Sequence, residues 1–164
     1  MYSAEQVDAM IKEWKAQGMS KPDMVVGIAN ACLDWCYVWG ALGQLCTASI
    51  RRTYMNSSNI ASGDINLIKK RCQILSSGKA NCVGCKYYPE GKQTRVFDCR
   101  GFTRWVLSQV GITLSGGGAT SQWNTASNWV EKGTIDTLPK DKVCCIFRYY
   151  PSTKKMEHTL LYDG

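Results

Sequence analysis

The chain has 164 residues, 45% of them hydrophobic and 20% charged, with six Trp, eight Tyr, nine Cys and a formal net charge of +7. That composition excludes a disordered chain and suits one domain with a real hydrophobic core. No apolar run approaches the roughly 18 residues of a membrane span, and the charged, amphipathic start MYSAEQVDAMIKEWK does not read as a signal peptide.

Ser3 to Gln17 reads as a helix. Ser3 and Gln6 have capping-box spacing, Val7, Met10, Ile11 and Trp14 form one apolar stripe, and Gly18 ends it. Ser20-Lys-Pro-Asp opens a second helix with Pro22 in its first turn, and Val25, Ile28, Ala29, Cys32 and Leu33 keep the helical period. The aromatic segment CLDWCYVWGALGQ follows. Residues 45–96 form a cysteine-bearing, basic stretch with Cys46, Cys72, Cys82 and Cys85 and nine Lys or Arg. Within it, 65–75 is expected to be a short helix and SSGKANCVGCKYYPEGKQ a loop. From Asp98, the residues Phe102, Trp105, Val106 and Val110 mark another helix, closed by Gly111. SGGGATSQW reads as a flexible loop and 122–131 as a short helix. LPKDKVCCIFRYY and KMEHTLLYDG read as strands. Helices first and strands last make an α+β layout.

Cys99 stands at the head of its helix, with Asp98 as the expected N-cap. A helix N-terminus supplies partial positive charge and unpaired N–H groups, which favour a thiolate. A cysteine nucleophile also needs a base, and the chain's single histidine is His158, on a late strand. Each residue has a plainer reading: Cys99 as a small hydrophobe, His158 as a hydrogen-bonded structural residue.

Four segments in order carry a resemblance: DWCYVWGALGQ, FDCRGFTRWVLSQVGITL, LPKDKVCCIF and EHTLLYDG. Together they resemble the NlpC-type family of cell-wall cysteine peptidases, over roughly Ala29 to Gly164 with the cysteine-rich stretch as an insertion. The family's landmarks are a YVWGG segment, a DCSG at the head of the central helix, a GDLVFF-like strand and an HVGIYLGDG-like strand. The resemblance implies a papain-like α+β fold, with the central helix packed on an antiparallel sheet. It implies one peptidase domain over 1–164, with 1–28 as an N-terminal helical extension. It makes Cys99 the nucleophile and His158 the base. Tyr37 and Asp98 match positions that hold the amine end of a short stem peptide, and Trp39 of the same aromatic segment is expected to bind substrate with them. The Cys99 backbone N–H is a candidate oxyanion donor.

Two departures stand out. Arg100 replaces the serine that follows the nucleophile, so the substrate-gripping subsite is expected to differ, with Arg100 meeting a substrate carboxylate or solvent. The sequence also ends six residues after His158, before the strand whose polar residue orients the imidazole in the family. Truncation ahead of that strand or of a wall-binding region is therefore expected. Glu157 is adjacent to His158 and is expected to face the other way.

The expected activity is hydrolysis of a stem-peptide bond of bacterial peptidoglycan, D-γ-glutamyl–diamino acid by the resemblance, by a monomer of the phage-lysin kind. It would be made in the bacterial cytoplasm and act on the wall without nucleic-acid or membrane partners. An amidase or cross-bridge peptidase of CHAP type is the second reading. A third is a zinc-stabilised nucleic-acid-binding module on an inactive scaffold. No cofactor is expected for catalysis. Cys82-x-x-Cys85 has zinc-knuckle spacing, with Cys46 and Cys72 as the nearest further ligands, and disulfides within the insertion are the competing reading. Cys32 and Cys36, one helical turn apart, are core residues or a pair.

Overall fold

Ser3 caps the first helix as its spacing requires. In the computed structural model, which describes residues 1–164, the Ser3 hydroxyl accepts from the Gln6 N–H and the Gln6 side chain accepts from the Ser3 N–H. Helix α1 spans Ala4–Ala16 and α2 spans Lys21–Ala31, with Ser20 as N-cap and Pro22 in the first turn. Val7 and Ile11 of α1, and Met24, Val25 and Ile28 of α2, bury against Val106 and Leu107 of helix α6 (Cys99–Gln109) and its C-cap residue Val110. The two N-terminal helices thus supply much of the main core. Apolar burial of this kind is the dominant stabilising term.

Strand β1 (Cys36–Tyr37) runs parallel to β3 (Arg95–Phe97), and β3 pairs antiparallel with β2 (Leu42–Leu45), giving a three-stranded sheet in the order β1-β3-β2. Gly43 sits at a register shift with φ +108°, and a Cβ there would lie 2.8 Å from the Phe97 ring. Only glycine admits that ring so close. Phe97 in turn packs on Trp35, Phe102 and Trp105 at centroid distances of 6.2, 5.5 and 5.2 Å.

The insertion leaves and returns at one place. Cys46 N–H donates to Thr94 C=O at 2.8 Å, directly beyond the β2–β3 pairing. Between these points lies a helical lobe of α3 (Ala48–Met55), α4 (Ser62–Lys70) and α5 (Gln73–Ser77). The single helix expected over 65–75 is therefore two, broken at Arg71–Cys72, where Cys72 adopts extended φ/ψ.

After α6 the chain forms α7 (Ala119–Asn124) and a 3-10 turn at Ala126–Asn128. The expected helix over 122–131 thus begins earlier, inside the stretch read as a loop, and only Ser115–Gly118 of the glycine run stays irregular. Strands β4 (Cys144–Tyr150) and β5 (Lys155–Tyr162) form an antiparallel hairpin. Instead of one antiparallel sheet, the fold has a mixed three-stranded sheet and a separate hairpin, an α+β arrangement.

All nine cysteines are free thiols. Helix α2 ends at Ala31, so Cys32 is its C-cap and Cys36 lies in β1; they do not share a helical turn. Burial pushes the Cys32 and Cys145 thiols up from 9.0 to about 12. The unfolded chain releases those protons near 9 while the folded chain keeps them, so stability falls as pH rises from 9 toward 12. Each thiol contributes a slope of up to about 1.4 kcal/mol per pH unit. Urea unfolding in reductant is expected to show this alkaline loss, with a shallower slope in Cys145→Ala. An equal slope in that variant would contradict the assignment.

Candidate functional site

Asp98 is the N-cap of α6, and its Oδ1 accepts from Gly101 N–H at 2.6 Å. Its Oδ2 accepts from Gly40 N–H at 3.2 Å and from Arg100 Nε at 3.3 Å. Asp98 N–H donates to Ala41 C=O at 2.9 Å. The helix head is thus tied to the β1–β2 turn through both the backbone and the side chain of one residue. Gly101 sits so close to that turn that a Cβ on it would lie 2.1 Å from the Ala41 carbonyl oxygen.

Cys99 begins the helix, half-buried, at the wall of a cavity of about 430 Å³. The cavity runs between α2, the β1 segment, the α6 head and β5, and its lining is mostly apolar. Tyr37, Asp98, Cys99 and His158 all line it. These four sequence candidates come from three separate segments, β1, the head of α6 and β5, and line one space.

Two other candidates do not line that space. Arg100 turns its guanidinium to Asp98 instead. Trp39 sits half-exposed in the turn before Gly40, outside the cavity. The Asp98 carboxylate is occupied by three donors and is 7% exposed, which leaves it poorly placed to grip a substrate amine. Burial nonetheless holds its pKa above the ordinary carboxylate value, with the Gly101 N–H and Arg100 acting in the opposite direction.

The helix head does not produce a preformed thiolate. Burial pushes the Cys99 thiol above its ordinary value and the Asp98 charge adds to this, while backbone N–H groups of Thr159, Arg100 and Cys99 itself pull it back. Desolvation outweighs the helix terminus because the half-buried sulfur has lost water that three N–H groups only partly replace. Tyr37 is likewise pushed up, by burial first and then by the nearby charges of Cys99 and Asp98.

His158 pairs with Arg148 across the hairpin. The pairing skips Glu157, which sits at a bulge and accepts from the Thr153 hydroxyl at 2.5 Å. Glu157 therefore does not orient the imidazole, in line with its expected outward position. No side chain hydrogen-bonds His158 in the structure.

Two site residues carried no sequence signal of their own. Thr159 presents its N–H to Cys99, is 2% exposed, and has a hydroxyl with no partner. Tyr54, on α3 of the lobe, packs its ring on Gly40 and lies within electrostatic reach of Asp98 and Arg100. The lobe thus reaches the edge of the site. For Thr159 the only clue is its place after the sole histidine. Tyr54 could not be found without knowing that the lobe folds back.

The metal candidates Cys46, Cys72, Cys82 and Cys85 all lie in the lobe, away from this cavity. No helix is long and apolar enough to cross a membrane. Comparison with protein-family models, with curated proteins and with solved structures returned no match.

Proposed function

We propose that the chain is a cysteine peptidase of papain-like type that hydrolyses a stem-peptide bond of bacterial peptidoglycan. The observation that carries this reading is the meeting of Cys99, at a helix head, with the sole His158, from a distant strand, on one cavity. The motif order along the chain supports the substrate class.

Cys99 starts as a thiol, because burial holds its proton. His158 takes that proton as the sulfur attacks the stem-peptide carbonyl carbon. The carbonyl oxygen gains negative charge, and the Cys99 N–H, which has no acceptor within α6 at its first turn, is the donor that meets it. The C–N bond then breaks. The amine leaves with the proton returned by His158, and the acyl group stays on sulfur as a thioester. Water attacks the thioester and gives its proton to His158, the acid departs, and the proton returns to the Cys99 sulfur.

Arg100 changes the substrate-gripping edge. Its Nε is held by Asp98, while its two terminal nitrogens make no bond within the protein. A free guanidinium fork suits a carboxylate and repels an ammonium. Arg100 lies outside the cavity lining, beside Asp98, so the edge of the site favours a stem peptide whose carboxylate projects past the cavity toward it. The positive charge of the chain, +7 overall, draws it to an anionic wall.

Digestion of purified peptidoglycan with mass analysis of the released fragments tests the reading. New termini within the stem peptide are expected. Release of glycan fragments with uncut stems, or no release from walls of several stem chemistries, would overturn it.

A further inference from the structure

The lobe between β2 and β3 has a stability problem. Across residues 46–93, only Cys46, Arg51, Ile68 and Cys72 are buried. The lobe shares its core with Cys36, Val38, Ala41 and Val96 of the body, and a segment with so few buried residues of its own gains stability from a staple, either a disulfide or a metal.

The chain brings Cys72 beside the turn that carries Cys82 and Cys85. Cys82 and Cys85 flank one tight turn, in which Cys85 N–H donates to Cys82 C=O at 2.9 Å and Gly84 takes φ +73°. Gln73, the neighbour of Cys72, donates from Nε2 to the carbonyls of Asn81 and Val83, at 3.0 and 2.9 Å. Those carbonyls lie on either side of Cys82, so Gln73 anchors Cys72 beside the turn. Cys82 is within electrostatic reach of Cys85 and Cys72, and Cys46 within reach of Cys85.

Charge decides what kind of staple fits. Arg51 is 1% exposed. Its Nη2 donates to Cys46 Sγ at 3.2 Å and its Nη1 to Ile68 C=O at 3.3 Å, and its guanidinium lies 5.4 Å from the Tyr87 ring centre. No carboxylate pairs with it. The surrounding stretch holds eight Lys or Arg against only Asp64 and Glu90. A buried cation needs a counter-charge. Disulfides are neutral and would leave Arg51 unpaired. Four thiolates around a divalent ion carry a net charge of −2 and would pair it.

We infer that Cys46, Cys72, Cys82 and Cys85 form a structural zinc site, with Arg51 as the buried cation that donates to the Cys46 ligand and offsets the centre's charge. The four sulfurs are not gathered into a metal-holding group in the structure, so capture requires the cysteine side chains and the Cys82–Cys85 turn to rearrange. Binding exchanges four thiol protons, released to solvent, for four Zn–S bonds. The inference is independent of the peptidase reading.

The test uses the full chain purified in a non-chelating reductant. Elemental analysis is expected to give one zinc per chain, and cobalt exchange the intense visible absorption of a tetrahedral thiolate site. Cys82→Ser is expected to lower metal retention at least tenfold, while Cys36→Ser, nearby but outside the ligand set, keeps full stoichiometry. Should Cys82→Ser fail to fold, chelation of the wild type gives a second readout. It is expected to expose four additional thiols to alkylation, mapped to these four positions. Absence of metal after zinc is supplied, disulfides among these cysteines in the native protein, or metal lost from Cys36→Ser but kept by Cys46→Ser would each overturn the site.

Discussion

Cys99→Ala is expected to leave peptidoglycan stems uncut, with fragment release lowered by roughly three orders of magnitude or more. The substitution removes the sulfur that would form the thioester in the proposed reaction and disturbs little else. The side chain is half-buried, and alanine suits the first turn of a helix. Unfolding midpoints are therefore expected to stay close to wild type, which separates loss of chemistry from loss of fold. His158→Ala should match the loss within about tenfold, because groups acting as a unit are not additive. Equal fragment release by wild type and Cys99→Ala would remove the residue from the reaction.

Gly101→Ala carries the largest expected effect on the fold. Helix propensity alone favours alanine by about 1 kcal/mol. Here that preference is overruled, since the added Cβ would lie 2.1 Å from the Ala41 oxygen and 3.0 Å from the Leu42 Cα. Both are backbone atoms, so no rotamer relieves the overlap. Either the helix head lifts or the β1–β2 turn moves, and each breaks the Asp98 bonds to Gly40 and Ala41. A destabilisation of about 3 kcal/mol is expected, at the upper end for overpacking. Urea unfolding measures it, and a midpoint at or above wild type would refute the steric argument. Activity is expected to fall alongside, because the same turn positions Cys99.

The parts of the fold that were legible share a cause. The capping box of Ser3 and Gln6, Pro22 in its first turn and Asp98 as N-cap are local signals, readable because helix termini satisfy their own N–H groups with nearby side chains. The strands β4 and β5 were readable from β-branched and aromatic runs. Strands β1 and β2, of two and four residues, are too short to show any period. The break at Arg71–Cys72 went unread because no Gly or Pro marks it. Among the candidates, Cys99, Asp98, Tyr37 and His158 stand out in the sequence because chemistry or motif order singles them out. Thr159 acts through its backbone and Tyr54 through the return of the lobe, and residue type reveals neither. The raised pKa of Cys99 has a similar cause: position on a helix is written in the sequence, whereas desolvation depends on what covers the sulfur.

The single point at which the lobe leaves and returns also bears on how the molecule folds. In effect, β2 and β3 are a hairpin whose turn has been replaced by the whole lobe. Closing so long a loop costs about 2 kcal/mol more chain entropy than closing a four-residue turn. A lobe that forms early would hold Leu45 and Arg95 together and remove much of that cost. The central sheet, and with it the seat of Cys99, would then assemble at a rate set by a region that contributes only Tyr54 to the site.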